Sequence, residues 1–296
     1  MGRAYSRLIL GCGNFGGVGS APAFFGQGQN REQAFAIMDA AWESGITAFD
    51  TADAYGGGRS ESWIGEWRRH TGNDPFLITK TFAAMDAGED MGLAPARVRR
   101  QIDSSLDRLG VERVDFYLAH AWDDDVPIAE VAGVFEELVH AGKVGAYGLS
   151  NVDADELRAA LDVGSFAAVE NSYSLLDRET EPVLSFGLDF FAFGPLAGGW
   201  LTGKYKRNEP PPAGSRMTQR PEGYAHLQTD AVFDGLERLQ ERGDPATLAL
   251  GWLLGEPRVT GVILGPGRPE HLEPALAALA APLPADQREE LGRLFP

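Results

Sequence analysis

Residues 114–150 read VDFYLAHAWDDDVPIAEVAGVFEELVHAGKVGAYGLS and contain a complete strand–helix–strand unit. The opening run, 114–120, is short, apolar and rich in β-formers, as a buried strand is. Apolar residues at helical spacing follow over 128–141, and Gly142 stops them as a helix C-cap would. A second apolar run, 146–150, completes the unit. Strands separated by a helix of this length pair in parallel.

The same alternation extends in both directions. Strand-like runs fall at 7–11, 48–50, 76–80, 114–120, 146–150, 167–172, 190–193 and 262–265. Amphipathic segments at 32–44, 98–109, 128–141, 153–161, 179–185, 246–254, 269–279 and 286–294 are expected to be helices. Eight strands alternating with about eight helices point to a (β/α)8 TIM barrel, an α/β fold, with a doubly wound open sheet as the alternative. The chain reads as one barrel domain over 1–296. Its one long irregular segment is 204–224, which carries Pro210, Pro211, Pro212, Gly214 and Pro221; loops this long in compact domains are usually functional or disordered.

Composition narrows the partners. The 296 residues are 44% hydrophobic and carry a formal charge of −17, which argues against nucleic acid or an anionic membrane surface as a partner. No apolar run reaches the ~18 residues of a membrane span. Cys12 is the single cysteine, so an intramolecular disulfide is impossible and a reducing, cytoplasmic setting is expected. Neither a thiol pair nor a Cys/His cluster suggests a metal. The sequence carries no signature of oligomeric state.

Gly11-Cys-Gly13-Asn14-Phe-Gly16 matches G-x-G-x-x-G after a strand. A dinucleotide fingerprint needs a helix to begin there at once. The continuation GGVGSAPAFFGQGQN cannot be that helix. The glycines are expected to form a tight loop at the barrel mouth, where backbone can approach a ligand.

Four polar residues stand at strand exits, or just beyond one. Asp50 closes TAFD with Tyr55 five residues on, Lys80 closes FLITK, and His120 closes VDFYLAH. Singly, each has an ordinary reading as a turn residue, loop aromatic, solvated strand end or core histidine. In a parallel barrel all the exits open on one face, where chemistry is usually found. Together they could deliver a proton: an ammonium favours the phenolate of a neighbouring tyrosine, a carboxylate holds the ammonium, and an imidazole donates to a substrate oxygen. With no nucleophile or metal in the set, carbonyl reduction by a bound nicotinamide suits it.

The chain resembles the aldo-keto reductases over essentially its whole length. The motifs are FDTADAYGGGRSE (49–61), ITK (78–80), RVDFYLAHAWD (113–123), GKVGAYGLSN (142–151), SYSLLDR (172–178), GPLAGGWLTGKY (194–205) and PPAGSR (211–216). The resemblance implies the (β/α)8 barrel and a catalytic tetrad of Asp50, Tyr55, Lys80 and His120, with Tyr55 as general acid/base. It implies an NADP(H) cofactor, with NAD(H) possible, and an aldehyde, ketone or sugar as substrate. Ser150 and Asn151 would hold the nicotinamide carboxamide and Phe193 would stack on the ring. Gly13 and Asn14 would sit at the mouth, and Gly194, Pro195, Leu196, Gly199, Lys204 and Arg216 would lie along the pyrophosphate. Arg268 is the candidate for a 2′-phosphate. Five cations against Glu209 between residues 200 and 220 (Lys204, Lys206, Arg207, Arg216 and Arg220) supply the positive patch that a polyanion needs here.

Two departures from the family pattern stand out. Glu170 occupies the position of the glutamine that usually grips the carboxamide. A carboxylate ~6 Å from the oxidised, positive ring would favour it by about 3 kcal/mol before screening at ε ~20, tilting the chain toward alcohol or sugar oxidation or cofactor-recycling epimerisation. At the adenosine end, Pro274 and Ala275 replace the usual Glu-Asn. Phe24, Phe82 and Trp122, with Phe25 and Trp200, are expected to line an apolar substrate pocket or to pack between loop and barrel. Asp123 opens an acidic run that would favour hydroxylated or cationic substrates if it faces the site. A nucleotide-sensing regulatory subunit is the alternative from another functional class.

Overall fold

A computed structural model describes residues 4–295. Eight parallel strands close into a barrel in chain order: β1 Leu8–Gly11, β2 Ala48–Asp50, β3 Phe76–Thr81, β4 Val114–Ala119, β5 Val144–Ser150, β6 Ala168–Ser172, β7 Asp189–Phe193 and β8 Gly261–Leu264. The helices are α1 Arg31–Glu43, α2 Arg59–Thr71, α3 Pro95–Leu109, α4 Ile128–His140, α5 Ala154–Leu161, α6 Arg216–Gln219, α7 Asp230–Arg242, α8 Pro245–Leu254, α9 Glu273–Ala280 and α10 Ala285–Gly292. The closed barrel replaces the open-sheet alternative. No helix among the described residues is long and apolar enough to cross a membrane.

Side chains two apart on a strand share a face, and that period builds the interior. Ile9, Ala48, Phe76, Ile78, Phe116, Leu118, Ala168, Phe191 and Ile263 form an inner apolar cluster, separate from the larger one between strands and helices. Phe116 packs edge-on against Phe191 at 5.6 Å between ring centroids, and Tyr5 meets both Phe76 and Phe191. Each fully buried ring contributes about 1.5–3 kcal/mol. Gly148 is required where β5 passes β6, because a Cβ there would stand 2.2 Å from the Ala168 carbonyl oxygen.

Helix ends follow the local chemistry. Asn30 and Gln33 form a reciprocal capping box ahead of α1, and Asp153 and Glu156 form another ahead of α5. On α3 the buried Val98, Ile102, Leu106 and Leu109 recur at helical spacing, and left-handed Gly110 ends the helix.

Three expectations change. The sequence over 179–185 does not form an α-helix; Pro182 and left-handed Gly187 leave a 3-10 stretch, Glu181–Phe186. The helices α2 and α7 lie outside the expected set. The first follows three glycines and carries only a thin apolar face around Ile64 and Trp67; in the second the buried stripe passes through Gly235, where a Cβ would meet the Phe295 ring at 2.6 Å, so its apolar pattern is thinned there. The segment 204–224, expected to be irregular throughout, contains α6 and a 3-10 turn at Pro221–Gly223.

Candidate active site

The interior rung above the apolar cluster is polar. Two residues beyond Ala48, Ile78, Leu118, Gly148, Ala168 and Phe191 on their respective strands come Asp50, Lys80, His120, Ser150, Glu170 and Phe193. The strand period therefore lifts these six side chains to the open end of the barrel. His120 lies one residue past β4, anchored by its N–H to the Thr81 carbonyl at 3.0 Å.

Lys80 is the centre of this rung. Its ammonium pairs with Asp50, donates to the Thr51 carbonyl oxygen at 3.0 Å and lies 3.0 Å from Glu170 Oε1. All three side chains are almost wholly buried. Burial opposes charge on Lys80, but Asp50 and Glu170 outweigh it and hold the ammonium well above its ordinary range. Burial, then the charge of Asp50, pushes Glu170 up to about 8.

Tyr55 Oη lies 3.4 Å from His120 Nε2, and the Lys80 ammonium sits 5.5 Å from the Tyr55 ring centroid. The expected acidification of the phenol is not seen. Burial raises its pKa above the ordinary range, Lys80 lowers it, and Asp50 and Glu170 raise it further. Two carboxyls on one ammonium mute the field that Lys80 alone would exert. Burial followed by Lys80 pulls His120 down to about 3, so its imidazole is neutral.

Tyr55 is held by a turn that only glycine tolerates. Gly56, Gly57 and Gly58 all have positive φ, and Gly17 packs so closely that a Cβ on it would stand 2.8 Å from Gly56 Cα. Arg59 fastens the turn by donating to the Gly56 carbonyl at 2.6 Å. Beneath it runs a buried polar network. Thr79 donates to Glu61 at 2.6 Å, Arg108 donates to the other Glu61 oxygen at 2.7 Å, and Thr81 donates to Asp53 at 2.6 Å. Arg97 donates to Thr81 at 2.9 Å and to the carbonyls of Ala83 and Gly92. Burial raises Asp53 to about 7. This network escaped the sequence reading, because buried polar side chains on different elements leave no periodic trace. Cys12, fully buried, passes behind Asp50, with its N–H on the Asp50 carbonyl oxygen at 2.8 Å.

A cleft of about 1120 Å³ leads from Asp50, Tyr55 and His120 along the strand exits to Gly265, Gly267 and His271. Its walls include Gly13, Asn14, Ser150, Asn151, Glu170, Phe193, Gly194, Pro195, Leu196, Gly199, Lys204 and Arg216, so these expected residues converge on one space. Asn151, itself at positive φ, donates to the His120 carbonyl at 2.9 Å and to Ser150 Oγ at 3.0 Å. Arg216 donates to Asn14 Oδ1 at 2.5 Å, which bridges the 204–224 segment to the loop after β1. Arg220 stacks 5.1 Å from the Phe24 ring, strengthening that bridge. Tyr224 lies on the bare backbone of Gly198 and joins the cleft wall.

The positive patch is smaller than the sequence suggests. Arg207 is engaged by Asp230, Asp234 and Glu237, and Lys206 donates to Gln240 at 3.3 Å, leaving Lys204, Arg216 and Arg220 on the cleft. Arg268 is exposed and lies 3.5 Å from Glu270; the wall beside it is Gly267, Glu270 and His271.

A nicotinamide dinucleotide fits these walls. Glu170 Oε2 and Ser215 Oγ are buried without partners in residues that line the cleft, and Lys204, Arg216 and Arg220 stand in the lining.

The expected substrate residues lie outside this lining. Asp123 holds its own loop, accepting from the N–H groups of Leu93 at 2.6 Å and Asp125 at 3.0 Å. Phe82 and Trp122 pack on the outer core, Phe24 sits under Arg220, and Trp200 is buried against Tyr205 and Phe233. Phe25 instead reaches over Gly57 beside the Tyr55 turn.

Comparison with known proteins bears on this geometry. The model of the Aldo/keto reductase family matches residues 7–294. The chain is 32% identical to the uncharacterized oxidoreductase YrpG of Bacillus subtilis (strain 168), over 100% of this chain and 94% of that protein. It is 30% identical to the NADH-specific methylglyoxal reductase of Escherichia coli (strain K12), covering 93% and 90% of the two chains. Among solved structures, the holo form of the aldo-keto reductase AKR11C1 from Bacillus halodurans superposes with a TM-score of 0.80 at 26% identity, over 99% of this chain and 93% of that one.

Proposed function

The chain belongs to the aldo/keto reductase family of oxidoreductases, and from that premise we propose that it reduces a small aldehyde, ketone or sugar carbonyl, or oxidises the corresponding alcohol, with Tyr55 as general acid/base. The observation that carries this reading is the meeting of Tyr55, His120 and the Lys80 cluster on the floor of one cleft.

The nicotinamide supplies or accepts the hydride at the substrate carbon. The chain's own residues handle the oxygen. Tyr55 is protonated at neutral pH and donates its proton to the carbonyl oxygen as negative charge grows there. Lys80 steadies the phenolate that remains, and solvent returns the proton. Neutral His120 can carry its N–H on Nε2, beside Tyr55 Oη, and donate to the same oxygen. Asp50 fixes the ammonium in place.

Ser150, Asn151 and Glu170 are suited to the carboxamide, Phe193 to the ring face, and 194–199 with Lys204 and Arg216 to the diphosphate. Either NADP(H) or NAD(H) is compatible with the adenosine end. Arg268 supports a 2′-phosphate, while Glu270 beside it and the NADH-specific relative support NAD(H).

Titration with NADP⁺, NADPH, NAD⁺ and NADH, followed by a carbonyl and alcohol panel in both directions, tests the reading. Binding of at least one pair and turnover of one substrate class is expected. Failure of every nicotinamide to bind would overturn it.

A further inference from the structure

Glu170 brings a second carboxyl to an ammonium that Asp50 already holds. Its Oε1 lies 3.0 Å from Lys80 Nζ, while Oε2 is buried without a partner. Asp50 and Glu170 thus share one buried ammonium. With both ionised, one cation faces two anions where water is excluded, and burial of unbalanced charge is strongly unfavourable.

Among the described residues, the neighbouring groups are uncharged. Tyr55, His120 and Cys12 add a phenol, an imidazole and a thiol, and β5 and β7 add Ser150, Phe191 and Phe193. Tyr55, Lys80 and Cys12 are held above their ordinary ranges and His120 is held near 3. Burial raises both carboxyls, so the pair is the part of this cluster whose charge can change near neutral pH.

Resting on the nicotinamide reading, we propose that the Asp50–Lys80–Glu170 cluster stores one proton, releases it to solvent when cofactor with an oxidised, positive ring binds, and keeps it when the neutral reduced ring binds. Only the Glu170 O–H bond breaks, and its electron pair stays on the carboxylate. Glu170 is thus a specificity-determining residue for cofactor oxidation state, and its preference is set by pH. A glutamine at this position could grip the carboxamide but could not store the proton.

The test is the ratio of oxidised to reduced cofactor affinity at about pH 6, 7 and 8, measured for whichever of NAD⁺/NADH or NADP⁺/NADPH binds. Groups at the diphosphate and adenosine ends act equally on both forms and cancel in the ratio. Linkage requires the ratio to climb with pH, approaching tenfold per unit while the free cluster holds its proton. Calorimetry at pH 7 in two buffers of different ionisation heat should detect proton release with the oxidised form and none with the reduced form. Glu170→Gln should flatten the ratio and abolish the release. A flat ratio in the wild type would overturn the proposal, as would an equal climb in Glu170→Gln. Binding by no nicotinamide would overturn the underlying functional reading itself, an outcome distinct from either.

Discussion

The Tyr55 hydroxyl and His120 Nε2 lie 3.4 Å apart with their rings edge-on, 5.4 Å between centroids and 78° between planes. Two hydrogen-bond donors set this way can both reach one oxygen. The phenol alone can give up its proton, since the imidazole is neutral. Tyr55→Phe should therefore lower kcat by a factor of about 10² to 10⁴, the usual share of general acid catalysis. Cofactor affinity should change by less than about threefold, as read by fluorescence titration. Near-normal turnover would remove Tyr55 from its role.

Lys80 is the one cation shared by two buried carboxyls, so its loss should be felt in stability as well as rate. Lys80→Met should cost about 3–5 kcal/mol in urea unfolding at pH 7, the range for breaking a buried ion pair from one side. Adding Glu170→Gln should restore part of that loss by removing one of the stranded carboxyls. If the double variant is no more stable than the single one, Glu170 does not share the Lys80 charge.

Asp53 provides a pH test away from the chemistry. Burial raises its carboxyl from the ordinary range near 4 to about 7 in the folded chain. The folded state therefore holds a proton that the unfolded state has lost between those values, and this group's contribution to stability falls as pH rises from about 4 to about 7. Asp53→Asn removes that dependence. Relative to wild type, the variant should gain stability across that window and level off above it, as followed by denaturant midpoints. A constant difference from pH 4 to 8 would contradict the assignment.

Arg207 secures the segment that bridges the cleft. It joins Asp230, Asp234 and Glu237 on α7 while stacking 5.4 Å from the Phe233 ring. Ion pairs this exposed contribute only modestly. Arg207→Ala should speed proteolysis within 206–214 and raise the cofactor dissociation rate by about fivefold or less. Unchanged stopped-flow release would separate this segment from cofactor retention.

The sequence made the polar rung legible because it lies on strands. A two-residue period carries Ile78 to Lys80 and Ala48 to Asp50, and a run of β-forming residues marks where each strand ends. What it hid depends on closure. Lys80 on β3 and Glu170 on β6 are neighbours only across the barrel interior, so nothing in either local pattern announces their contact. The same holds for Asp53, Thr81 and Arg97, which come from three separate segments. Loop aromatics were the least legible. No periodicity fixes whether Phe24 or Phe25 covers the Tyr55 turn, and packing against Gly57 chose Phe25.

Cys12 lies fully buried behind Asp50, its thiol held above the ordinary range by burial and by the charge of Asp50. Thiolates react and thiols largely do not, so native Cys12 should remain silent toward maleimides and disulfide reagents. The chain thus offers a natural background for site-directed labelling. A cysteine placed at Ala213, on the segment that spans the cleft, would carry a fluorophore or spin label without a competing signal. Whether that segment moves when the cleft is filled could then be read in otherwise native protein.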